Sequence, residues 1–412
     1  MFSRALKPFL EKALSRSPVV LLNGARQVGK TTLAREFLQE KGYTYLTFDD
    51  ELTYVAAKNN MTAFIENIKK PVILDEVQRI PEIFLPIKVD VDNNRIPGRY
   101  LLTGSANPLL IPRLGDSLAG RMEILDLMSL SQGEIESKEE KFIDALFGSQ
   151  PLQSPSTTLS KENLYKKIIR GGYPSVQHLN EEDYEAWMHS YLSLILQRDI
   201  KDLAQIEKLT ELPNLLKVLA SRASGLLNVA DVSRDCKLAI KTLHRYIALL
   251  ETIFMIHLQN PWSSNLTLRF VKAPKLYLID SGLLAYLLGI NLSGALSNPM
   301  QFGKILENFV VMELKKQATW SNTKLNQYHF RTSGGDEVDI ILEDRAGNIV
   351  GIEIKSSEQV NADDFKGLKT LQNKVGNKFI RGIVLYTGSK YMPFDKDLCV
   401  LPVNALWEKC WD

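Results

Sequence analysis

Residues 19–33 read VVLLNGARQVGKTTL, and this stretch decides the fold of the N-terminal part of the chain. A short apolar run is followed by Gly24-x-x-x-x-Gly29-Lys30-Thr31 and then by residues that favour a helix. This order predicts the strand, loop and helix of a phosphate-binding P-loop. The two glycines let the backbone curl so that its N–H groups converge on phosphate oxygens, and a helix N-terminus favours an anion.

The pattern predicts nucleotide contacts along the whole loop, with separate roles for two of its residues. We expect Lys30 to reach the β- and γ-phosphates of ATP and the Thr31 hydroxyl to ligate Mg²⁺. An ordinary glycine-containing turn is the alternative, and the eight-residue pattern in this context disfavours it. The predicted nucleotide-binding positions of the loop are Gly24, Gln27, Val28, Gly29, Lys30, Thr31 and Thr32.

Composition indicates a soluble protein of several domains. With 412 residues, roughly two to four domains are expected. The net charge of +2 points to neither nucleic acid nor membrane, so any basic surface must be local. The three cysteines form no CxxC pair, which suits a reducing compartment. The first 18 residues predict an amphipathic helix rather than a signal peptide, and no apolar run could span a bilayer. A cytoplasmic location without membrane contact is expected.

A second nucleotide motif follows the P-loop. Residues 72–76 read VILDE, which predicts a buried parallel strand ending in two carboxylates. Ligands of open α/β sheets bind at that end of the strands. Asp75 would hold Mg²⁺ through water, and Glu76 would act as the general base on the attacking water. The alternative is a solvated start of a loop, but a position 45 residues after Lys30 favours the nucleotide motif.

Two further polar positions belong to the same expected site. Residues 99–103 predict a buried strand that ends in Gly-Ser-Ala-Asn, so Thr103 or Ser105 could orient water or sense the γ-phosphate. A simple turn after the strand explains these residues equally well. Arg121, which precedes a predicted strand at residues 122–127, could reach a phosphate in its own site or in that of a neighbouring subunit.

Several segments taken together resemble a prokaryotic AAA-superfamily ATPase family whose members carry a C-terminal domain similar to restriction endonucleases. The resemblance covers nearly the whole chain, and it implies ATP binding with hydrolysis. For the arginines it implies contact across a subunit interface, and so a homo-oligomer. The segments are GARQVGKTT (24–32), VILDEVQ (72–78), LLTGS (101–105), LAGR (118–121), RGGYP (170–174), QRDI (197–200), YLIDSG (277–282) and EIK (353–355).

The middle of the chain predicts a linker and a helical lid. Residues 147–159 are rich in Ser, Pro, Thr and Gln, which is typical of a linker. Helical periodicity begins at Asn163 and returns over residues 184–203, with the RGGYP segment between. Arg170 and Arg198 either contact phosphates when the lid closes or pair with nearby acids.

Three short predicted helices, at residues 214–223, 229–236 and 239–251, precede apolar segments at 254–258, 269–271 and 275–279. Short helices followed by a β-ribbon predict a winged helix-turn-helix. Its recognition helix would expose Lys241, Thr242, His244 and Arg245 to a DNA major groove. Because this set is only modestly basic, contact with a protein partner is favoured slightly over DNA.

The C-terminal part predicts a restriction-endonuclease-like core. Its pattern is a helix at residues 303–317, strands at 324–331, 337–342 and 349–355, a helix at 362–371 and a strand at 380–386. Glu353 and Lys355 lie two apart and so share one face of the sheet. A hairpin centred on Ala346 would place Asp339 opposite Glu353.

Facing carboxylates repel, and a divalent cation would relieve the repulsion. We expect Mg²⁺ or Mn²⁺ between Asp339 and Glu353, with Glu307 as a third ligand and Lys355 assisting the attacking water. A solvated strand face neutralised by Lys355 is the alternative. By resemblance, these positions form the Asp…Glu-x-Lys signature of nucleases.

The sequence therefore predicts an α/β protein: a P-loop NTPase of AAA type with a parallel sheet, a helical lid, a winged-helix domain and a restriction-endonuclease-like α/β domain. The expected domain boundaries are 1–136, 137–210, 211–292 and 293–412. The first functional hypothesis is an Mg²⁺-dependent ATPase coupled to a metal-dependent nuclease acting on DNA. The second is a nucleotide-controlled switch that binds a protein partner through the winged helix and uses an inactive nuclease-like domain for binding.

Overall fold

A parallel sheet of five strands lies at the centre of the N-terminal part of the chain. The computed structural model describes residues 2–106, 118–196 and 209–410. The strands of this sheet are β1 (Val19–Asn23), β2 (Thr44–Thr47), β3 (Val72–Asp75), β4 (Tyr100–Gly104) and β5 (Met122–Asp126). They lie in the order β2–β3–β4–β1–β5, and every neighbouring pair is parallel. The predicted parallel sheet is confirmed.

Strand β1 is buried on both faces, which explains its unbroken apolar run. Val20 and Leu22 pack into one hydrophobic core, whereas Val19 and Leu21 pack into a second core on the other face. Helices pack on both faces of the sheet, and the P-loop follows a strand that lies inside the sheet rather than at its edge. These helices are α1 (Lys7–Leu14), α2 (Lys30–Lys41), α3 (Glu51–Asn59), α4 (Met61–Asn67) and α5 (Phe84–Asn93).

The middle of the chain is mostly helical and ends in a two-stranded antiparallel sheet, β6 (Ile256–Gln259) with β7 (Lys275–Leu278). The helix at residues 229–236 has the bounds that the sequence predicts. The helices that precede β6 are α6 (Gln132–Glu136), α7 (Phe142–Phe147), α8 (Lys161–Arg170), α9 (Glu181–Leu194), α10 (Leu212–Ser221), α11 (Val229–Cys236) and α12 (Ile240–Thr252).

The prediction of an apolar ribbon segment at residues 269–271 is wrong. These residues belong to the helix α13 (Leu266–Val271), which begins where the Asn265 side chain accepts the N–H of Thr267 at 3.0 Å. Arg269 on this helix forms an ion pair with Glu343. A capped turn and a buried ion pair outweigh the strand propensity of so short a segment.

The C-terminal part is a second α/β unit with a mixed sheet of six strands. After α14 (Ser281–Leu287) and α15 (Leu292–Ser297), the long helix α16 (Pro299–Trp320) leads into it. Its strands are β8 (Leu325–Arg331), β9 (Glu337–Asp344), β10 (Ile349–Lys355), β11 (Phe379–Tyr386), β12 (Met392–Asp395) and β13 (Leu398–Pro402). They lie in the order β12–β13–β11–β10–β9–β8, and α17 (Lys366–Val375) packs on one face of the sheet. Across the ranges that the structure describes, no helix is both long and apolar enough to cross a membrane.

Helix α16 joins the two α/β units through buried charge. The Glu313 carboxylate accepts the backbone N–H of Gln132 at 2.9 Å, and Lys316 donates to the carbonyl of Leu130 at 2.9 Å. Glu313 and Lys316 also pair with each other at 2.6 Å. Burying this pair is tolerated only because each charge has such partners, so the contact specifies one docking position.

The two motifs RGGYP and YLIDSG interlock, although they lie about a hundred residues apart in the sequence. The buried carboxylate of Asp280 accepts the N–H of Gly172 at 2.8 Å and the hydroxyl of Ser129 at 3.0 Å. A Cβ on Gly171 would lie 2.1 Å from the Asp280 carboxylate, and one on Gly282 would lie 2.6 Å from the backbone oxygen of Arg170. These glycines therefore permit close packing.

We predict that Gly171→Ala destabilises the protein much more than Gly289→Ala. Both glycines have a positive φ, +70° and +64°, but only Gly171 lacks room for a Cβ. Strain plus overlap should cost about 2–4 kcal/mol at Gly171, against about 1 kcal/mol for strain alone at Gly289. Urea denaturation of both variants measures the difference. Equal losses would show that the interlock is not tightly packed.

A second prediction concerns Glu140, whose carboxylate is buried and accepts the Ser131 hydroxyl at 2.5 Å and the Gly133 N–H at 3.0 Å. Burial, reinforced by the nearby charge of Glu313, raises the pKa of Glu140 to about 8. The folded state therefore holds a proton that the unfolded chain releases above its ordinary pKa. The free energy of unfolding should fall as pH rises from about 5 to 8.

Glu140→Gln should remove that loss, because its amide does not titrate: its oxygen can accept the Gly133 N–H, and its NH2 group can donate to the Ser131 hydroxyl oxygen. The stability of the variant relative to the natural chain should rise with pH over this range, by at most about 1.4 kcal/mol per pH unit. Denaturation at several pH values measures it. Glu139→Gln, at a largely exposed side chain, is the control and should show no such trend. A flat profile for Glu140→Gln would contradict the prediction.

Candidate functional site

The P-loop connects β1 to α2 and is shaped by two glycines with positive φ. Gly24 has a φ of +151°, and a Cβ there would lie 2.0 Å from the carbonyl oxygen of Leu127, so only glycine fits. Gly29 has a φ of +98° and precedes the first turn of α2. Lys30 is buried and donates to the carbonyls of Gly24 at 2.9 Å and Ala25 at 2.7 Å. Its ammonium therefore lies inside the loop, where phosphates are expected.

The other predicted loop positions differ in burial and in backbone conformation. Val28 is fully buried, and Thr32 is exposed in the first turn of α2. Gln27 has a φ of +65°. It lines a cavity of about 360 Å³ together with Trp187 and Tyr191 of α9. Helix α9 thus faces the tip of the P-loop.

Arg4 stabilises the P-loop by donating to its backbone, a role that the sequence analysis does not predict. Its guanidinium donates to the carbonyls of Val28 at 2.6 Å and Met128 at 2.8 Å, and it pairs with Glu134 at 3.0 Å. All five N–H groups of an arginine form a rigid fork, so one side chain can fix several backbone segments. A single arginine in an amphipathic segment carried no signal of this role.

The structure brings Thr31 and Asp75 together. The Thr31 hydroxyl lies 3.0 and 3.1 Å from the two carboxylate oxygens of Asp75. The hydroxyls of Thr103 and Tyr45 also donate to Asp75, the latter at 2.7 Å. Burial, with the charge of Asp75 adding to it, raises the pKa of Tyr45. These hard oxygen donors fit Mg²⁺, with Thr31 and Asp75 as the holding residues.

Glu76 lies beside this pair with its side chain turned toward β4. Its backbone φ is +61°, and its N–H donates to the Thr103 hydroxyl at 3.1 Å. Its carboxylate accepts the amide of Gln78 and, at 3.4 Å, the hydroxyl of Ser105. The Ser105 N–H in turn donates to Gln78 at 3.1 Å. The sequence analysis gives Gln78 no role, although Gln78 is the last residue of the VILDEVQ segment.

Arg121 does not reach the P-loop of its own chain, which corrects one of the two predicted options. It precedes β5, whose first residue Met122 pairs with Val19, whereas the P-loop follows the other end of β1. A strand of five residues spans roughly 15 Å, more than an arginine side chain can reach. Arg121 pairs instead with Asp92.

The lid arginines differ in what the structure says of them. Arg170 pairs with Glu181 at 2.9 Å and lies over the ring of Tyr184, so the option of pairing with an acid is the one observed. Arg198 lies outside the described residues, as does Asn107 of the Gly-Ser-Ala-Asn segment.

A second cluster lies in the C-terminal sheet, where the predicted hairpin register is confirmed. Strands β9 and β10 pair from Ile349 opposite Glu343 to Ile352 opposite Ile340, and the next step places Glu353 beside Asp339. The Ile354 N–H donates to Asp339 at 3.1 Å.

The centre of this cluster is an ammonium group that the sequence analysis did not anticipate. Lys275, from β7, is 3% exposed and pairs with Glu307 at 2.9 Å, Glu337 at 2.9 Å and Asp339 at 3.0 Å. It was missed because it opens an apolar strand in a different predicted domain. The other lysine, Lys355, pairs with Glu353 at 3.1 Å, as the alternative reading of this site expected.

Burial and mutual repulsion shape the protonation of the cluster. Burial, with the charge of Asp339 adding to it, raises the pKa of Glu307 to about 7 and that of Glu353 to about 8. Burial opposes the charge on Lys275, but the three carboxylates outweigh this effect and raise its pKa. The cluster therefore keeps Lys275 charged and favours the protonated forms of Glu307 and Glu353.

The residues of the cluster do not fit a divalent cation in this arrangement. Among the described residues, no group of three or more acidic, imidazole or thiol side chains is placed to hold a metal ion. The ammonium of Lys275 stands among the carboxylates of Glu307 and Asp339, both of which were predicted as metal ligands. Mg²⁺ would need oxygens at about 2.0–2.1 Å in that space.

Comparison with known proteins gives three matches along the chain. Residues 16–136 match the family described as AAA domain. Residues 161–293 and 302–406 match two domains of unknown function, DUF8612 and DUF4143.

Two curated relatives and two solved structures are similar to this chain. The uncharacterized proteins Rv2008c of Mycobacterium tuberculosis and Mb2031c of Mycobacterium bovis are each 31% identical over 402 residues, covering 96% of this chain and 82% of the relative. The Walker-type ATPase PABY2304 of Pyrococcus abyssi has a TM-score of 0.42 at 15% identity, covering 70% of this chain and 96% of its own. The RuvB Holliday junction branch migration motor of Thermotoga maritima has a TM-score of 0.30 at 18% identity, covering 61% and 88%.

Proposed function

Because this chain belongs to the same family as the mycobacterial protein Rv2008c and carries an AAA-like P-loop ATPase domain, we propose that its nucleotide site controls a molecular switch. The domain binds and hydrolyses ATP. The observation that supports the residue assignment is the contact between the Thr31 hydroxyl and the Asp75 carboxylate, with Glu76 next in the chain. Mg²⁺ held there would neutralise phosphate charge.

Each residue of the site has a defined task in this proposal. Lys30 exchanges its carbonyl partners for the β- and γ-phosphate oxygens, while the loop N–H groups bind the same oxygens. Glu76 accepts the proton of the water that attacks the γ-phosphate. Gln78 and Ser105 hold the carboxylate of Glu76 between turnovers, and so they position the base.

A series of hydrogen bonds and ion pairs connects the P-loop to helix α16. The Val28 carbonyl of the P-loop is held by Arg4, and Arg4 is held by Glu134 of α6. The neighbouring Gln132 donates to Glu313 of α16. Because α16 also carries Glu307 of the C-terminal cluster, a shift of the P-loop would be transmitted to that cluster through the same helix.

We favour a protein partner over DNA for the output of the switch. The helix α13 stands where a DNA-binding wing would carry basic residues, yet Leu266, Phe270 and Val271 on it are 65%, 79% and 72% exposed. Exposed apolar groups of this size are typical of protein interaction sites. The exposed basic residues of the recognition helix, such as Lys241 and Arg245, border the partner site in this proposal.

The C-terminal cluster does not favour nuclease activity. It requires a divalent cation among Glu307, Asp339 and Glu353, and an ammonium group stands in that place. We therefore propose that the C-terminal domain serves for binding.

ATP turnover tests the assignment of the site. Lys30→Ala should weaken ATP binding and abolish turnover, whereas Glu76→Gln should bind ATP normally and lose at least about 100-fold in turnover, since only the base is removed. Phosphate release and fluorescent-nucleotide binding are the measurements. Glu82→Gln, at a more exposed acid nearby, is the matched control and should keep full activity.

The same assay separates the two outputs. Turnover should be indifferent to linear, circular and single-stranded DNA if the switch acts on a protein. Stimulation of turnover by DNA would favour the nucleic-acid hypothesis instead, and normal turnover by Glu76→Gln would exclude Glu76 as the base.

We propose that Arg121 acts in the site of a neighbouring subunit, since it cannot reach its own. Arg121→Ala and Lys30→Ala should each lose turnover, and a mixture of the two should regain part of it, because some interfaces then join an intact P-loop to an intact arginine. Arg95→Ala, at an exposed arginine that donates to the backbone of Gly120, is the control. Full turnover by Arg121→Ala alone would refute the role.

A further inference from the structure

The ammonium of Lys275 is saturated by the cluster around it. A lysine ammonium has three N–H donors and no acceptor. Three carboxylates lie within 2.9–3.0 Å of Nζ: Glu307 from α16, and Glu337 and Asp339 from β9. These are hydrogen-bond lengths, longer by roughly 0.9 Å than the oxygen bonds of Mg²⁺. The carboxylates are thus satisfied by a charge that belongs to the chain.

Lys275 cannot leave this position as a surface side chain could. Its strand β7 is anchored on both sides: Leu276 and Leu278 are fully buried, and the Asn308 side chain pairs with both backbone groups of Leu278, at 2.8 and 3.0 Å. Tyr277 on the same strand donates to Glu307 at 2.8 Å. Withdrawing the ammonium would require the strand to leave the core or would bury an unpaired charge, which is strongly unfavourable.

A second lysine of the cluster, Lys355, also pairs with carboxylates. Lys355 pairs with Glu353 at 3.1 Å and with Asp364 at 3.3 Å. Asp339 also receives the Ile354 N–H, so the facing acids of the hairpin each have a donor supplied by the protein itself. These donors offset part of the repulsion that suggested a cation from the sequence.

We propose that the Lys275 ammonium is a built-in substitute for the divalent cation, which makes the C-terminal cluster a permanent joint between β7 and the C-terminal sheet rather than a nuclease centre. This inference deepens the proposed binding role of the C-terminal domain and rests on it, but it does not depend on ATP hydrolysis. Lys275 acts by positioning the two parts of the chain relative to each other.

Manganese binding by the full-length chain, without nucleotide, tests this directly. Electron paramagnetic resonance of free Mn²⁺ counts bound ions in the natural chain, in Asp339→Asn, in Lys275→Ala and in the double variant. The natural chain and Asp339→Asn should bind the same number of Mn²⁺ ions. Lys275→Ala should gain one ion, because it leaves carboxylates unpaired, and the double variant should lose it.

Lys316→Ala is the matched control, since Lys316 is another buried lysine paired with a carboxylate, Glu313. It should lose stability without gaining an ion. If Lys275→Ala does not fold, as judged by circular dichroism, the comparison of the natural chain with Asp339→Asn decides alone. A Mn²⁺ ion bound by the natural chain and lost in Asp339→Asn would overturn the proposal, as would a folded Lys275→Ala that gains none.

DNA cleavage gives an independent reading in the same samples. The natural chain should cut no linear, circular or single-stranded DNA with Mg²⁺ or Mn²⁺, with or without ATP. Cleavage that disappears in Lys355→Ala would overturn the proposal. ATP turnover is recorded alongside, so that a chain without turnover and without a C-terminal Mn²⁺ site would refute the ATPase assignment while leaving this inference intact.

Discussion

The organisation of this molecule depends on one physical constraint: the helix α16 buries charged and polar side chains that must find partners elsewhere. Along its length, Glu307 meets Lys275 of β7, Asn308 meets the backbone of the same strand, and Glu313 meets the backbone of Gln132. Lys316 on the same helix completes the set. A buried charge without a partner costs several kcal/mol, so any other placement of the surrounding elements is strongly disfavoured.

This constraint links two regions with different chemistry. Toward one end of α16 lies the support of the P-loop, where Arg4 and Glu134 hold the carbonyl of Val28. Toward the other end lies the cluster around Lys275. In the nucleotide site, Lys30 donates to the carbonyls of Gly24 and Ala25, which phosphate oxygens can replace as acceptors. In the C-terminal cluster the carboxylates pair with lysines of the same chain, which suits a binding role rather than a catalytic one.

The sequence was informative where function depends on residues close together in the chain. The loop from Gly24 to Thr31, the strand leading to Asp75 and the hairpin that places Asp339 beside Glu353 follow from spacing and from the two-residue period of a strand. It was less informative where contacts are distant. The sequence does not predict the helix at residues 269–271, where Arg269 pairs with Glu343 across 74 residues of sequence.

The sequence by itself determined a P-loop ATPase core, its two nucleotide motifs and the presence of facing acids in the C-terminal sheet, because these depend on local spacing and on the alternation of side chains. Only the tertiary structure decided what neutralises those acids and where Arg121 lies. Lys275 is 32 residues from Glu307 and 64 from Asp339, and it reaches them only after two separate parts of the chain have packed together. Local sequence patterns cannot predict such a contact, because the contact depends on how distant strands and helices pack against each other.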